Sequence, residues 1–149
     1  MLTPEQLSAA CGVPVVTPQA PDADAPRASG TLASHYAPHA QVRLMTAVQM
    51  QEALRGLAPP PAAMDATCDA APGIAIWARS PLDITPAQRS GVALHAMPQD
   101  PAVCAHHLFA QLRSFDAQGV AQIWVEIPPF TPAWDGVRDR LTRAATPAR

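Results

Sequence analysis

Apolar residues along the chain follow two kinds of pattern, short continuous runs and stretches with a helical period. Continuous runs of four to eight apolar residues are typical of strands buried on both faces of a sheet. Such runs predict strands near 73–78, 92–97 and 123–127, and QVRLM is a further short strand candidate near 42–45. Capping patterns and apolar residues spaced three and four apart predict helices at 3–10, at 47–57, from Pro101 and from Pro132.

The clearest helix begins after Asp100, because a capping aspartate followed by Pro101 is a common helix start. Its end is placed at Gly119, since glycine favours the position just past a helix. One face of this helix is apolar along its length, with Cys104, Leu108, Leu112 and Phe115. That face is expected to pack against the sheet.

Strands that alternate with helices predict an α/β domain of three layers around a mostly parallel sheet. This domain occupies residues 41–149 and its helices end near residue 146. Residues 13–40 contain five prolines and almost no large apolar side chains, so they are interpreted as a proline-rich linker. Residues 1–12 are expected to form a separate short helix that ends at Gly12.

Composition excludes several classes of protein. Only 15% of the 149 residues are charged and the net charge is −2, which argues against a nucleic-acid surface that acts by charge alone. No run of 18 apolar residues exists to cross a membrane, and the first residues lack the pattern of a signal peptide. Three widely spaced cysteines favour a reduced, cytoplasmic protein over a disulfide framework.

The fold suggests a nucleotide, but the usual phosphate-binding motifs are missing. The sequence contains neither GxGxxG nor GxxxxGK[ST]. Ligands of such folds bind at the carboxyl ends of the strands, which here carry Arg79, Pro98 and Glu126. Glu126 could accept a hydrogen bond from a ligand or from a loop, and a carboxylate that caps the strand end is the favoured interpretation.

Two further stretches have simple structural explanations. In CAHH, Cys104 and His107 lie three residues apart, but no second cluster supplies the remaining ligands of a zinc site or orients a Cys–His nucleophile. In RDRLTR, residues 138–143, the arginines complement the carboxyl end of a helix. A tRNA-binding patch is the alternative interpretation of these arginines. For the whole sequence we predict no metal site.

The stretch SHYAP in the linker contains Ser34, His35, Tyr36 and Pro38, and Tyr36 is the only tyrosine in the protein. Tyr36 could anchor a capped turn against the folded domain. The stretch could instead be a loop that closes over a bound ligand and excludes water. Composition alone favours the anchor.

Several stretches together resemble one family, the two-domain threonylcarbamoyl-AMP synthases. SGTLASHYAP is similar to their linker motif, whose core is HYxP. MPQDPAVCAHHLFAQLRSFDAQGVAQIWVEIPP and WDGVRDRLTRAA resemble the end of their C-terminal domain, and LTPEQLSAACG resembles the last helix of the preceding catalytic domain. The resemblance covers nearly the whole chain and is weakest from 58 to 91.

The resemblance implies a function. In the family, an N-terminal YrdC-type domain condenses threonine, bicarbonate and ATP, with Mg, into threonylcarbamoyl-adenylate, which serves the threonylcarbamoyladenosine modification of tRNA. The C-terminal domain is Rossmann-like, and the linker crosses the catalytic pocket. By resemblance His35, Tyr36 and Pro38 occupy the HYxP positions, so that Ser34, His35, Tyr36 and Pro38 form a lid and Tyr36 faces the substrates. The resemblance therefore favours the lid over the anchor.

The catalytic domain has no counterpart in this sequence. The chain is therefore expected to be a C-terminal accessory domain that gates or positions a missing YrdC-type domain, with no catalytic residue and no cofactor of its own. The sequence does not decide whether the chain contacts tRNA or a nucleotide, or whether it forms a homodimer through the linker arm. The alternatives are an independent small nucleotide-binding protein and a docking module for a separate YrdC-type protein.

Overall fold

The computed structural model describes residues 4–15, 38–57, 72–89 and 91–146. The strands are β1 Gln41–Met45, β2 Ile74–Ala78, β3 Val92–Ala96 and β4 Gln122–Glu126. The helices are α1 Pro4–Cys11, α2 Ala47–Gly56, α3 Pro101–Ala117 and α4 Asp135–Ala144. Short 3₁₀ turns lie at Pro86–Gln88 and Pro132–Trp134. All four predicted strands are confirmed within two residues at each end.

The four described strands form one parallel sheet in the order β1-β4-β2-β3. The chain crosses from β1 to β2, continues to β3 at one edge, and returns through α3 to insert β4 between β1 and β2. The expected α/β class is confirmed, and every strand pairing in the described part of the chain is parallel.

The helices begin and end where local chemistry satisfies their free backbone groups. Thr46 and Gln49 form a reciprocal capping box at the start of α2. The side chain of Asp100 accepts hydrogen bonds from the amides of Ala102 and Val103, which caps α3 as predicted. Gly119, just past α3, has φ of 70°, a conformation that glycine adopts without strain.

The sheet buries apolar side chains on both faces, so the domain has three layers. On one face Trp77, Ile123 and Val125 pack with residues of α3 and α4. On the other face Ile76 and Trp124 pack with residues of α2. The α3 side chains that pack on the first face are those of the predicted apolar stripe, Cys104, Leu108, Leu112 and Phe115. Trp77 and Trp124 both lie in the core, as expected for residues within strands.

The last helix differs from the prediction in its first turn. The helix expected from Pro132 begins as a 3₁₀ turn and becomes α-helical only at Asp135. The predicted ion pair between Asp139 and Arg143 is confirmed, with 3.0 Å between a carboxylate oxygen and Nε. No helix among the described residues is long and apolar enough to cross a membrane.

Candidate functional site

The predicted lid falls mostly outside the described residues. Ser34, His35 and Tyr36 lie in the undescribed range 16–37, so their roles remain predictions. Pro38 is described, is half-buried, and stands three residues before β1. The structure therefore describes only the end of the predicted linker, where the chain enters β1.

The junction is held by Asp116, near the end of α3. One carboxylate oxygen of Asp116 accepts a hydrogen bond from the amide of His39 at 2.8 Å, and the other accepts from the amide of Ala40 at 3.0 Å. The next amide, of Gln41, donates to the carbonyl of Ala121 at 3.0 Å. Three consecutive amides are therefore fixed at the amino edge of the sheet, where the strands begin.

Sequence reasoning did not single out Asp116. It lies 77 residues after His39, and no local pattern connects the two positions. The available signal was its place at the end of LFAQLRSFD, one of the stretches that resemble the family most specifically.

At the opposite, carboxyl edge, where the strands end, Glu126 bonds to a loop of its own domain. Oε2 of Glu126 accepts from the amide of Arg79 at 2.6 Å and from the amide of Ser80 at 2.7 Å. Oε1 accepts from the Ser80 hydroxyl at 2.7 Å. Glu126 is 8% exposed. This confirms that Glu126 caps a strand end, and it ties the loop after β2 to the end of β4.

Arg79 covers the same edge with its side chain. Its guanidinium carbon lies 4.9 Å from the centre of the Trp134 ring, and Nη2 donates to Gln99 at 2.7 Å. Gln99 in turn donates to the carbonyl of Arg79 at 3.0 Å. The buried Nε has no hydrogen-bond partner in the described part of the chain. Arg79 and Glu126, two of the residues at the predicted ligand-binding edge, thus contact groups of the protein itself.

Cys104 and His107 do not form one site. Cys104 is fully buried in the core, and burial raises the pKa of its thiol to about 11, although the nearby Arg79 opposes this shift. His107 is exposed, and its ring lies 5.0 Å from that of His106. No group of three metal-binding side chains occurs among the described residues. A buried neutral thiol is a poor nucleophile and a poor metal ligand.

The arginines of α4 contact groups of their own domain. Arg138 pairs with Asp135 and also lies over the Phe130 ring, at 4.9 Å from its centre. Arg140 lies 5.5 Å from the centre of the Phe109 ring. With Arg143 paired to Asp139, carboxylates offset two of the three cations that a tRNA-binding patch would use.

The described surface includes two clefts of similar size. A cleft of about 350 Å³ lies beside Leu44, Pro128 and Phe130, and the Phe130 side chain is 84% exposed. A second, of about 380 Å³, lies at the edge strand β3 beside Leu82 and Leu94.

Comparison with known proteins identifies the family. A family model described as "Threonylcarbamoyl-AMP synthase, C-terminal domain" matches residues 2–146. No curated protein and no solved structure matches the chain. The family match covers α1, the linker and the whole folded domain. The chain therefore belongs to the family of threonylcarbamoyl-AMP synthase C-terminal domains.

Proposed function

We propose that this chain is the accessory module of a threonylcarbamoyl-AMP synthase. It positions a YrdC-type catalytic domain and closes that domain's substrate pocket with the linker segment that carries Tyr36. The observation that carries the proposal is the extent of the family match, which includes the linker as well as the folded domain. Catalysis by the partner uses threonine, bicarbonate and ATP with Mg, in the cytoplasm, and serves tRNA modification.

The geometry of the described residues supports an accessory role. Condensing threonine and bicarbonate with ATP needs cationic and amide donors around the triphosphate. At the carboxyl edge Glu126 presents a carboxylate, and its oxygens already accept three hydrogen bonds. The two described glycines with positive φ, Gly12 and Gly119, end helices and line no phosphate loop.

The chemistry of the linker supports the lid. A tyrosine can donate one hydrogen bond from its hydroxyl and cover a ligand with its ring. Closing a segment over a pocket excludes water and strengthens the electrostatic interactions inside it. In this proposal Tyr36 faces the substrates, while Ser34, His35 and Pro38 shape the segment around it.

The test compares three proteins: this chain, the catalytic domain, and the two joined through residues 1–40. Pyrophosphate release and threonylcarbamoyl-adenylate formation are measured with ATP, Mg, threonine and bicarbonate. We expect no product from this chain alone, and a higher kcat/KM for the joined protein than for the catalytic domain. Product from this chain alone, or equal kcat/KM for the other two, would contradict the proposal.

The docking-module alternative is tested by mixing rather than joining. If the chain serves a separately encoded catalytic domain, adding it in trans at micromolar concentration should raise the activity of that domain to the level of the joined protein. If only the joined protein gains activity, the linker must act within one polypeptide.

The cleft beside Phe130 is a candidate site for the alternative function, nucleotide binding. An exposed aromatic ring with an arginine beside it, here Phe130 and Arg138, can stack on an adenine base. Asp135 and Asp139 beside the same cleft oppose a phosphate group. Calorimetry with ATP and with AMP decides the matter, and binding that Phe130→Ala abolishes would favour the alternative.

A further inference from the structure

We propose that a second copy of this chain pairs with the free edge of β3, so that two sheets join through two antiparallel β3 strands. This dimer goes beyond the proposed function and does not depend on it. It rests on the backbone groups of β3, on the side chains of this strand, and on the charges beside its two ends.

The first step is the direction of the backbone groups in β3. The carbonyl of Gly91 and the amide of Met97 are both hydrogen-bonded to β2, so these two residues point toward it. The direction alternates from one residue to the next along a strand. The residues whose amides and carbonyls point away from β2 are therefore Val92, Leu94 and Ala96. Among the described strands, β3 has no neighbour on that side.

The second step is the contrast between the two edges of the sheet. Free edge strands can pair with another chain, and proteins usually protect them with charged residues or proline. The other edge strand, β1, carries the exposed Arg43. The sequence of β3, VALHA, contains no Lys, Arg, Asp or Glu and no proline, and Leu94 at its centre is 47% exposed. The edge of β3 therefore lacks the protection that β1 has.

The third step is the register that a two-fold axis at Leu94 creates. Antiparallel pairing about this axis joins the outward groups of both copies through about six hydrogen bonds. The opposed residues are Leu94 and Leu94, Val92 and Ala96, and Ala93 and His95. Valine and histidine thus each meet an alanine, and the two imidazoles do not face each other. The two leucines cover each other beside the cleft of about 380 Å³ that Leu94 lines.

The fourth step is the charge beside each end of β3. Arg89, just before the strand, is exposed and forms no ion pair with the described residues. Asp100, just after the strand, is exposed and caps α3 through Oδ1 alone. Continuing the same register places Arg89 of each copy beside Gln99 and Asp100 of the other. This opposite-charge contact occurs at both ends of the strand pair, which favours a second copy over an unrelated extended peptide.

The mass of the chain in solution tests the dimer. Analytical ultracentrifugation of the 149-residue chain should show a dimer that dissociates on dilution. Leu94→Lys places two like charges at the axis and should raise the dissociation constant at least about tenfold. Val103→Lys is the control, because Val103 is 45% exposed but lies on α3. A monomer at concentrations up to about 0.1 mM, or equal effects of the two variants, would overturn the proposal.

Ala96→Pro tests the backbone contribution. The amide of Ala96 points away from β2, so proline removes a donor to the second copy and leaves the pairing with β2 intact. We expect a dissociation constant at least about fivefold higher, with an unchanged far-UV circular dichroism spectrum. A dimer as stable as that of the wild type would show that β3 does not pair through its free edge.

Disulfide formation tests the register. In a Cys11→Ser, Cys68→Ser background, Leu94→Cys places two Cα atoms about 5.5 Å apart across the axis, within reach of a disulfide. Mild oxidation should then yield a covalent dimer. Ala96→Cys is the matched control, because its two copies lie about 14 Å apart along the strands. Equal crosslinking of the two variants, or none with Leu94→Cys, would contradict the register.

A charge reversal tests the contact at the strand ends. Arg89→Glu places a carboxylate beside Asp100 of the second copy and should raise the dissociation constant about two- to fivefold at low salt. Arg55→Glu makes the same change of net charge at the exposed end of α2, away from β3, and should have no effect. Equal effects of the two reversals would refute the specific contact and with it the choice of a second copy.

Discussion

Glu126 and Ser80 are joined by two hydrogen bonds, one from the Ser80 amide and one from its hydroxyl, each 2.7 Å long. This pair links the end of β4 to the loop after β2, across 46 positions of sequence. The loop is thereby held at the carboxyl edge of the sheet, the edge at which folds of this class usually bind a ligand. The Glu126 carboxylate at this edge is therefore engaged by groups of its own domain.

Removing the Glu126 carboxylate should destabilise the domain. Glu126→Ala leaves the amides of Arg79 and Ser80 without their acceptor, and we expect a loss of about 1–3 kcal/mol in the free energy of unfolding. Glu126→Gln should cost less, since its amide oxygen can still accept from both amides. Urea unfolding measures the difference. The control, Glu52→Ala on the exposed side of α2, should stay within about 0.5 kcal/mol. Equal stability of the two alanine variants would contradict the assigned role of Glu126.

The apolar face of α3 should dominate the stability of the domain. Leu108 is fully buried, so Leu108→Ala leaves a cavity and should lower the free energy of unfolding by about 2–5 kcal/mol. Leu112→Ala should have a similar effect. Val103 lies on the same helix with 45% of its surface exposed. Val103→Ala should therefore change stability by at most about 0.5 kcal/mol. Comparable urea midpoints for the Leu108 and Val103 variants would refute this packing.

The Cys104 thiol should be inert in the folded protein. A Cys11→Ser, Cys68→Ser variant leaves Cys104 as the only thiol. Because burial raises its pKa to about 11, labelling by a disulfide reagent at pH 8 should be slow until denaturant is added. In a matched variant that keeps only Cys11, which is exposed, labelling should be fast without denaturant. Rapid labelling of native Cys104 would show that the thiol is accessible.

The same pKa predicts a dependence of stability on pH. A pKa raised in the folded state favours the neutral thiol, so its contribution is complete below the pKa of the unfolded thiol. The contribution is lost as pH rises toward about 11. The loss should be on the order of 3 kcal/mol. The stability difference between the wild type and Cys104→Ala should shrink by that amount between pH 8 and pH 11. A difference that does not change with pH would rule out a raised pKa.

Tyr36→Ala separates the lid from the anchor. In the joined two-domain protein we expect lower turnover, while the melting temperature of residues 41–146 stays nearly unchanged, because the tyrosine serves the partner's pocket. Tyr36→Phe distinguishes a contribution of the hydroxyl from one of the ring. If Tyr36→Ala instead unfolds the domain and leaves activity per folded molecule intact, the tyrosine is an anchor.

The sequence by itself determined the elements of this protein and the sides that they bury. The apolar runs of β2 and β4 and the stripe of α3 required burial on the faces where the structure places them. Short-range chemistry determined the helix ends, because Asp100 and Gly119 act on residues within one helical turn. The family resemblance also lay in the sequence, in motifs such as HYAP and LFAQLRSFD.

Only the tertiary structure decided how the elements combine. The insertion of β4 between β1 and β2 depends on which strands pair, and the sequences of the four strands do not specify that order. The roles of Glu126 and Asp116 were decided in the same way. Their hydrogen-bond partners lie 46 to 77 residues away, and a carboxylate that bonds to backbone amides requires no particular side chain at the partner position. Such contacts leave no periodic or compositional pattern, so they become visible only when the chain is folded.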